Sequence, residues 1–170
     1  VVEEELRAGR KIGARLLAIG EPEYPASLAL IPDAPPLLWV KGDVSLFERP
    51  MVALVGARNA SSLGLRMARA VSRDLGAEGF GIVSGMARGI DTAAHIATLE
   101  TGTLTVLGGG VDVIYPAENT KLAQDIAMRG LRLSEQPMGT QPQARHFPAR
   151  NRIISGLARA VVVVEAAARS

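Results

Sequence analysis

The chain has no cysteine and few aromatic residues. Without cysteine it has no disulfide, no thiolate metal site and no cysteine nucleophile, and a reducing cytoplasm fits this composition best. No apolar run approaches the roughly 18 residues that a membrane span requires. The N-terminus starts with acidic residues and lacks the basic-then-apolar order of a signal peptide. The sequence therefore predicts a cytoplasmic protein with no membrane partner.

The chain has 170 residues, which suffice for about one domain. Its charged residues are distributed unevenly along the sequence. The net charge is only +2, but the stretches 49–73 and 136–164 contain five and four arginines and no acidic residue. Because a guanidinium matches a phosphate through paired hydrogen bonds, these stretches indicate a polyanion or a phosphorylated ligand. Arg66, Arg69 and Arg73 recur at helical spacing and are interpreted as a solvated helix face.

The pattern of the chain changes near residue 48. Five prolines break the first part, and we interpret 1–48 as a segment packed on the core, with one strand at 37–40. Beyond it, apolar runs predict five buried strands, at 51–55, 81–84, 103–107, 131–134 and 160–164. Helical spacing is found at 61–78, where Leu63 and Met67 are placed on the apolar face, and at 91–100, 118–128 and 150–159. This alternation predicts an α/β fold over residues 49–170, with a mainly parallel, doubly wound sheet and helices on both faces.

Ligands of such folds bind at the carboxyl ends of the strands. The first predicted strand is followed by Gly56-Ala57-Arg58-Asn59, the second by the loop 85–91 and the third by 108–112. Arg58 stands where the dinucleotide fingerprint G-x-G-x-x-G requires glycine, and no acidic residue ends the second strand, so NAD and FAD are disfavoured. The chain contains no G-x-x-x-x-G-K-[ST] phosphate loop either. We therefore expect no cofactor.

The sequence motifs give little support for a catalytic site. Ser84 does not fit the spacing of a G-x-S-x-G nucleophile elbow. Asp91 and His95 share a helical face, but no third ligand follows at a recognisable spacing, so we predict no metal site; we favour a capping role for Asp91 and a hydrogen bond from His95 to a loop. Besides the binding of a polyanion, two other functions stay open. One is a nucleotide-binding hydrolase using Asp91, Glu135 or Glu165. The other is an interaction platform whose arginines contact an acidic partner.

The most informative stretch is 145–152, where one aromatic ring lies among three arginines, a histidine and an asparagine. This composition suits single-stranded nucleic acid, because a base can stack on Phe147 while guanidinium groups and helix N-terminal amides hold adjoining phosphates. The alternative is that Phe147 anchors the loop in the core. Since Pro148 restricts the preceding residue, we expect Phe147 to lie exposed in an extended loop before the helix.

Several segments carry motifs that belong together: 52–58 (VALVGAR), 83–91 (VSGMARGID) with 94–95, 106–112 (VLGGGVD) with 115–116 and 119, 134–135, and 147–154 (FPARNRII) with 164–166. Together they resemble the DNA-processing protein A family, DprA/Smf. The resemblance implies an extended Rossmann-like domain without enzymatic activity that binds single-stranded DNA without sequence specificity. It also implies a homodimer that loads the RecA recombinase on incoming DNA during natural transformation.

The same resemblance implies the residues of the DNA pocket: Arg58, Asn59, Gly85, Arg88, Gly89, Arg145, His146, Phe147, Arg150, Asn151 and Arg152. The sequence departs from the family pattern at three alanines. Ala57 stands where serine is common, and Ala117 and Ala144 stand where some members are basic. Family members continue beyond the position of Ser170 with further sheet and often a winged-helix domain. We therefore expect 49–170 to be a truncated form of the domain.

Overall fold

The computed structural model describes residues 1–168, and the last two residues of the predicted core domain, 169 and 170, lie outside this range. The strands are β1 (Arg15–Ala18), β2 (Leu37–Gly42), β3 (Met51–Val55), β4 (Gly81–Ser84), β5 (Thr103–Val106), β6 (Leu131–Ser134) and β7 (Ala160–Val163). The helices are α1 (Val2–Lys11), α2 (Ala26–Ala29), α3 (Ser62–Ala77), α4 (Ile90–Ala97), α5 (Thr120–Arg129) and α6 (His146–Leu157). Short 3₁₀ helices span Val44–Glu48 and Ala117–Asn119. None of the helices within this range is long and apolar enough to cross a membrane.

All seven strands belong to one sheet, in the order β1-β2-β6-β5-β4-β3-β7. The five strands from β6 to β7 are parallel to their neighbours, whereas β2 is antiparallel to both β6 and β1. The chain steps from β3 through β4 and β5 to β6, and then returns along α6 to place β7 on the other side of β3. The winding direction thus reverses beside β3, which is where open α/β sheets form their ligand crevice. The predicted mainly parallel, doubly wound sheet is confirmed.

Different helices cover the two faces of the sheet. On one face, α2 and α6 pack on a cluster that includes Leu28, Ala53, Val83, Leu104, Leu133 and Ile153. On the other face, α3 and α4 pack on a cluster that includes Val52, Leu54, Ala68, Ile82, Ala93 and Ala94. Because both faces are covered, β4, β5 and β6 are buried along their whole length, including the polar side chains of Thr103, Thr105, Arg132 and Ser134.

The buried side of α3 differs from the one that the apolar residues predict. Leu63 and Met67 are exposed, so their placement in the core is wrong. The buried positions are instead four small residues that follow one another at intervals of four, Gly64, Ala68, Ser72 and Gly76. The two glycines leave room for neighbouring side chains: a Cβ atom at Gly64 would collide with the carboxylate of Glu165, and one at Gly76 with the side chain of Thr101.

Two other predictions about secondary structure are wrong. The last helix begins at His146 and not at residue 150, because Pro148 occupies the first turn, where its missing N–H is not needed. Phe147 therefore lies in the helix and not in an extended loop. β7, predicted to be buried, has mostly exposed residues because it is the edge strand in the part of the chain that the structure describes.

Residues 1–48 contain more regular structure than their prolines predict. Besides the predicted strand β2, they form α1, β1, α2 and a 3₁₀ turn. The pair β1–β2 continues the central sheet, since Trp39 of β2 is aligned with Ser134 of β6. The side chain of Trp39 is buried, and its indole N–H donates to a carboxylate oxygen of Glu5 at 2.9 Å. These contacts attach α1 and β1 to the sheet, and the division of the chain near residue 48 stays a prediction.

Candidate nucleic-acid interface

The predicted site residues come together at the carboxyl ends of β3, β4 and β5. Arg58 and Asn59 follow β3, the loop 85–89 follows β4, and the first turn of α6 packs on the segment after β5. A Cβ atom at Gly108 would lie 3.1 Å from two ring carbons of Phe147, so glycine at this position lets the ring pack directly on the backbone. The fold therefore joins segments that are far apart in the sequence into one surface.

The ring of Phe147 lies at the centre of this surface and is half-buried. The guanidinium carbons of Arg58 and Arg150 are 5.6 and 5.5 Å from its centroid, within the range of cation–π attraction. The ring of Tyr115 is 5.7 Å from it, centroid to centroid, with 39° between the ring planes. Phe147 is thus neither a core residue beneath the sheet nor an isolated exposed ring.

Three cavities meet at Arg58 and Phe147, which line all of them. The first, of about 470 Å³, lies beside β3, α6 and β7, at the point where the winding direction reverses. The second, of about 210 Å³, lies between the loop after β4 and the Tyr115-Pro116 segment. The third, of about 580 Å³, extends along Tyr115, Pro142 and α6. Together they form a continuous depression whose most central cation is Arg58.

The predicted arginines of the site differ in their exposure and in whether a carboxylate already pairs with them. Arg58 is exposed and has no carboxylate partner within residues 1–168. Arg145 is also exposed, and its Nε donates to Nε2 of His146 at 3.5 Å. Arg88 is paired with Glu118 at 2.6 Å, but both side chains are more than half exposed, so solvent weakens this pair. These three guanidinium groups are accessible to an anion.

Arg150 is directed inward and is only 6% exposed. Its Nη1 donates to the carbonyl oxygens of Gly85, at 2.8 Å, and Val106, at 2.6 Å, and its Nε donates to the side-chain oxygen of Asn151 at 3.1 Å. Burial lowers the pKa of Arg150, and the nearby carboxylate of Asp91 opposes that shift. The guanidinium therefore connects α6 to the ends of β4 and β5.

Arg152 is held by carboxylates that are distant in sequence. Its two Nη atoms each donate to an oxygen of Glu135 at 2.6 Å, and its Nε lies 3.1 Å from a carboxylate oxygen of Asp33. The hydrogen bond to Glu135 raises the pKa of Arg152. Its charge is already neutralised within the protein, in contrast to that of Arg58.

The loop after β4 is fixed by side chains from two other elements. Asp91 accepts hydrogen bonds from the backbone N–H groups of Gly85, at 3.0 Å, and Ala87, at 3.4 Å, and burial raises its pKa. Asn119 donates to the carbonyl oxygen of Met86 at 2.9 Å. Met86 itself has φ of +66°, an uncommon conformation for a residue with a side chain. Asp91 thus caps the preceding loop and not the first turn of its own helix.

His95 is completely buried, and its Nδ1 is 2.7 Å from the hydroxyl oxygen of Thr103. The predicted hydrogen bond exists, but its partner belongs to β5 and not to a loop. Burial lowers the pKa of His95 to about 3, so the ring is neutral at physiological pH. It cannot reach a ligand at the surface. Within residues 1–168, no group of three His, Asp or Glu side chains is placed to hold a metal ion.

Comparison with known proteins agrees with the architecture and the motifs. The family model of DNA recombination-mediator protein A matches residues 15–170. The chain belongs to this family. The resemblance to DprA/Smf proteins and the Rossmann-like α/β fold are therefore confirmed.

Two curated DprA/Smf relatives illustrate the similarity. The DNA processing protein DprA of Streptococcus pneumoniae is 50% identical over 149 residues, which are 86% of this chain and 52% of the relative. The protein Smf of Synechocystis is 45% identical over 162 residues, 92% of this chain and 41% of the relative. The chain thus spans about half the length of these relatives.

Solved DprA structures superpose closely on the fold. The crystal structure of DprA from Streptococcus pneumoniae gives a TM-score of 0.88 at 45% identity, over 95% of this chain and 58% of that one. DprA from Helicobacter pylori gives 0.86 at 32% identity, over 92% of this chain and 71% of that one. The latter structure is described as giving insight into a single-stranded DNA binding mode.

The three carboxylates of the hydrolase alternative all have intramolecular partners in this DprA/Smf chain. Asp91 binds loop amides and Glu135 binds Arg152, as described above. Glu165 accepts hydrogen bonds from the N–H of Ser61, 3.1 Å from each oxygen, and from its hydroxyl, at 2.7 Å. Its carboxylate thereby covers the N-terminus of α3, where dinucleotide-binding folds hold a phosphate.

The sequence motifs include Tyr115 and Asn119 but do not place either residue in the DNA pocket. Asn119 holds the loop after β4, and Tyr115 contributes a ring beside Phe147. A signal for Tyr115 was present, because aromatic residues make up only 4% of the chain and this one follows a glycine-rich strand end.

Proposed function

We propose that this protein binds single-stranded DNA, without sequence preference, at the strand-end surface. We define this surface by eight residues: Arg58, Asn59, Arg88, Tyr115, Arg145, His146, Phe147 and Asn151. One observation carries the proposal: the exposed guanidinium of Arg58, without a carboxylate partner in residues 1–168, lies over the ring of Phe147 where three cavities meet. The binding mode described for the Helicobacter pylori relative supports the same ligand.

The chemistry of this surface suits an unpaired strand. Guanidinium groups recognise phosphates, which every nucleotide has, and aromatic rings stack on the faces of bases of any type. Neither interaction distinguishes one base from another, so binding tolerates any sequence. In a duplex the base faces are stacked on one another and are not available to a ring. The surface therefore favours single strands.

We assign the other predicted site residues to a supporting role. Arg150 and Arg152 hold α6 on the strand ends, and the glycines of the loop 85–89 leave room for the side chain of Arg150 and the backbone of Ala57. A Cβ atom at Gly85 would lie 2.8 Å from the guanidinium carbon of Arg150, and one at Gly89 would lie 2.3 Å from the carbonyl oxygen of Ala57. In this proposal they determine where Arg58 and Phe147 lie and do not themselves neutralise phosphates.

Other parts of the proposal concern the whole protein. The name of the family, a mediator of DNA recombination, supports a RecA-type recombinase as partner. We propose that the protein acts in the cytoplasm as a homodimer during natural transformation, and that it loads the recombinase on the bound strand without catalysing a reaction. The engaged carboxylates of Asp91, Glu135 and Glu165 support a function without catalysis or cofactor.

Fluorescence anisotropy with labelled oligonucleotides tests the proposal. Oligo-dT and a mixed-sequence strand should bind with similar affinity, a blunt duplex of the same length should bind more weakly, and ATP and NAD should not compete. If Arg58, Arg88 and Arg145 each neutralise one phosphate, the slope of log K against log salt should be roughly −2, at about −0.7 for each contact. Equal affinity for the duplex, or a flat response to salt, would overturn the proposal.

A further inference from the structure

Tyr115 is the most accessible ring of the strand-end surface. Its side chain is 53% exposed, whereas Trp39 and Tyr24 are buried and Phe147 is half-buried. Within residues 1–168 its hydroxyl has no hydrogen-bond partner, in contrast to that of Tyr24, which donates to the carbonyl oxygen of Pro35. Such an exposed ring, placed between polar cavities, lacks the packing that would explain it as a core residue.

The surroundings of Phe147 limit how much of its ring a base can cover. The backbone of Gly108 lies against one part of the ring, and the guanidinium groups of Arg58 and Arg150 lie over it. Tyr115 borders the ring and is tilted from it by 39°, so one flat base cannot lie parallel to both rings. The two rings therefore offer separate surfaces, and the outer one belongs to Tyr115.

We infer that Tyr115 stacks on a nucleobase of the bound strand, next to the phosphate that Arg58 holds. This inference rests on the proposed function and adds a second aromatic contact to it. Both residues line the second and the third cavity, so a strand that passes from one cavity to the other contacts Tyr115 with a base and Arg58 with its backbone. Phe147 supports the two side chains from the inner side.

Three substitutions at Tyr115 separate stacking from other roles. Tyr115→Ala and Tyr115→Leu should weaken binding of a labelled oligo-dT by about 5- to 150-fold, the range for loss of one stacked base. Tyr115→Phe keeps the ring and should stay within about twofold of the unchanged protein. Met128→Ala is a matched control, because Met128 is 81% exposed on α5 and lies outside the strand-end surface. The melting temperatures of all variants are measured in parallel.

An oligonucleotide of the same length made of abasic nucleotides completes the test. If Tyr115 stacks on a base, the abasic strand should bind more weakly to the unchanged protein, and Tyr115→Ala should cause no further loss with it. A similar loss on both strands would overturn the inference, since Tyr115 would then act on the backbone or on the fold. Unchanged oligo-dT affinity in Tyr115→Ala would also overturn it, and the proposed function would survive if Arg58→Ala still weakened binding. Failure of the unchanged protein to bind oligo-dT would overturn both.

Discussion

Arg152 and Glu135 form a bidentate ion pair, in which each Nη atom of the guanidinium is 2.6 Å from a carboxylate oxygen. Arg152 lies in a stretch of sequence without acidic residues, and that stretch predicted free cations. The acidic partners of Arg152 come from other parts of the chain: Glu135 follows β6, and Asp33 lies in the N-terminal segment. A basic stretch in the sequence thus contains both paired and unpaired arginines, and they should respond differently to substitution.

Arg58→Ala should weaken binding of single-stranded DNA by about 1 to 3 kcal/mol, because it removes a charge-assisted hydrogen bond to phosphate. The salt slope should become shallower by about 0.7. Folding should change little, since the guanidinium is exposed. Anisotropy titrations at several salt concentrations measure the first two effects. Arg69→Ala, which removes an exposed arginine on α3, is the control and should leave affinity unchanged. Full affinity together with a lower melting temperature in Arg58→Ala would show that Arg58 is structural.

Arg152→Ala should mainly reduce stability. It leaves the carboxylate of Glu135, only 19% exposed, without its partner, and loss of such a charged hydrogen bond costs about 1 to 3 kcal/mol in the free energy of unfolding. The salt slope of DNA binding should stay as in the unchanged protein, because this guanidinium is already neutralised. Urea unfolding and salt-dependent titration of the same preparation test both statements. A shallower slope in a stable Arg152→Ala protein would mean that Arg152 contacts phosphate.

The sequence predicts β3 and β4 well because their burial on both faces goes with apolar runs, whereas β5 and β6 alternate apolar and buried polar residues. It failed at the start of α6, since Pro148 is compatible both with an extended loop and with the first turn of a helix. It also failed to separate Arg58 from Arg150 and Arg152. The partners of the latter two include Gly85, 65 positions away, Glu135, 17 positions away, and Asp33, 119 positions away, and no local pattern connects residues at such separations.

Phe147→Leu tests the ring at the centre of the surface. Leucine keeps much of the apolar volume against Gly108, so the melting temperature should fall only slightly. The cation–π contacts with Arg58 and Arg150 and any stacking on a base disappear, and the affinity for oligo-dT should fall by about 1 to 3 kcal/mol. Thermal unfolding and anisotropy measure the two effects. A large loss of stability with unchanged affinity of the folded fraction would assign Phe147 to the core.

His95 makes stability depend on pH in a defined direction. Its pKa is about 3 in the folded protein against an ordinary value of 6.5, because burial disfavours the charged ring. Between these values the unfolded chain binds more protons than the folded one, so the free energy of unfolding falls as the pH is lowered. The loss from this one group between about pH 7.5 and 5.5 should be about 1 kcal/mol. Asp91, whose pKa is raised by burial, acts in the opposite direction.

His95→Asn isolates this contribution, because asparagine can keep a hydrogen bond to Thr103 without a titrating ring. Urea unfolding at the two pH values should show a loss of unfolding free energy in the unchanged protein that exceeds the loss in the variant by about 1 kcal/mol. Asp91 is present in both proteins, so its contribution cancels in the difference. If the free energy of unfolding fell equally in the two proteins between the two pH values, His95 would have to accept a proton within the fold. The packing around β5 and α4 would then be looser than the complete burial of His95 indicates.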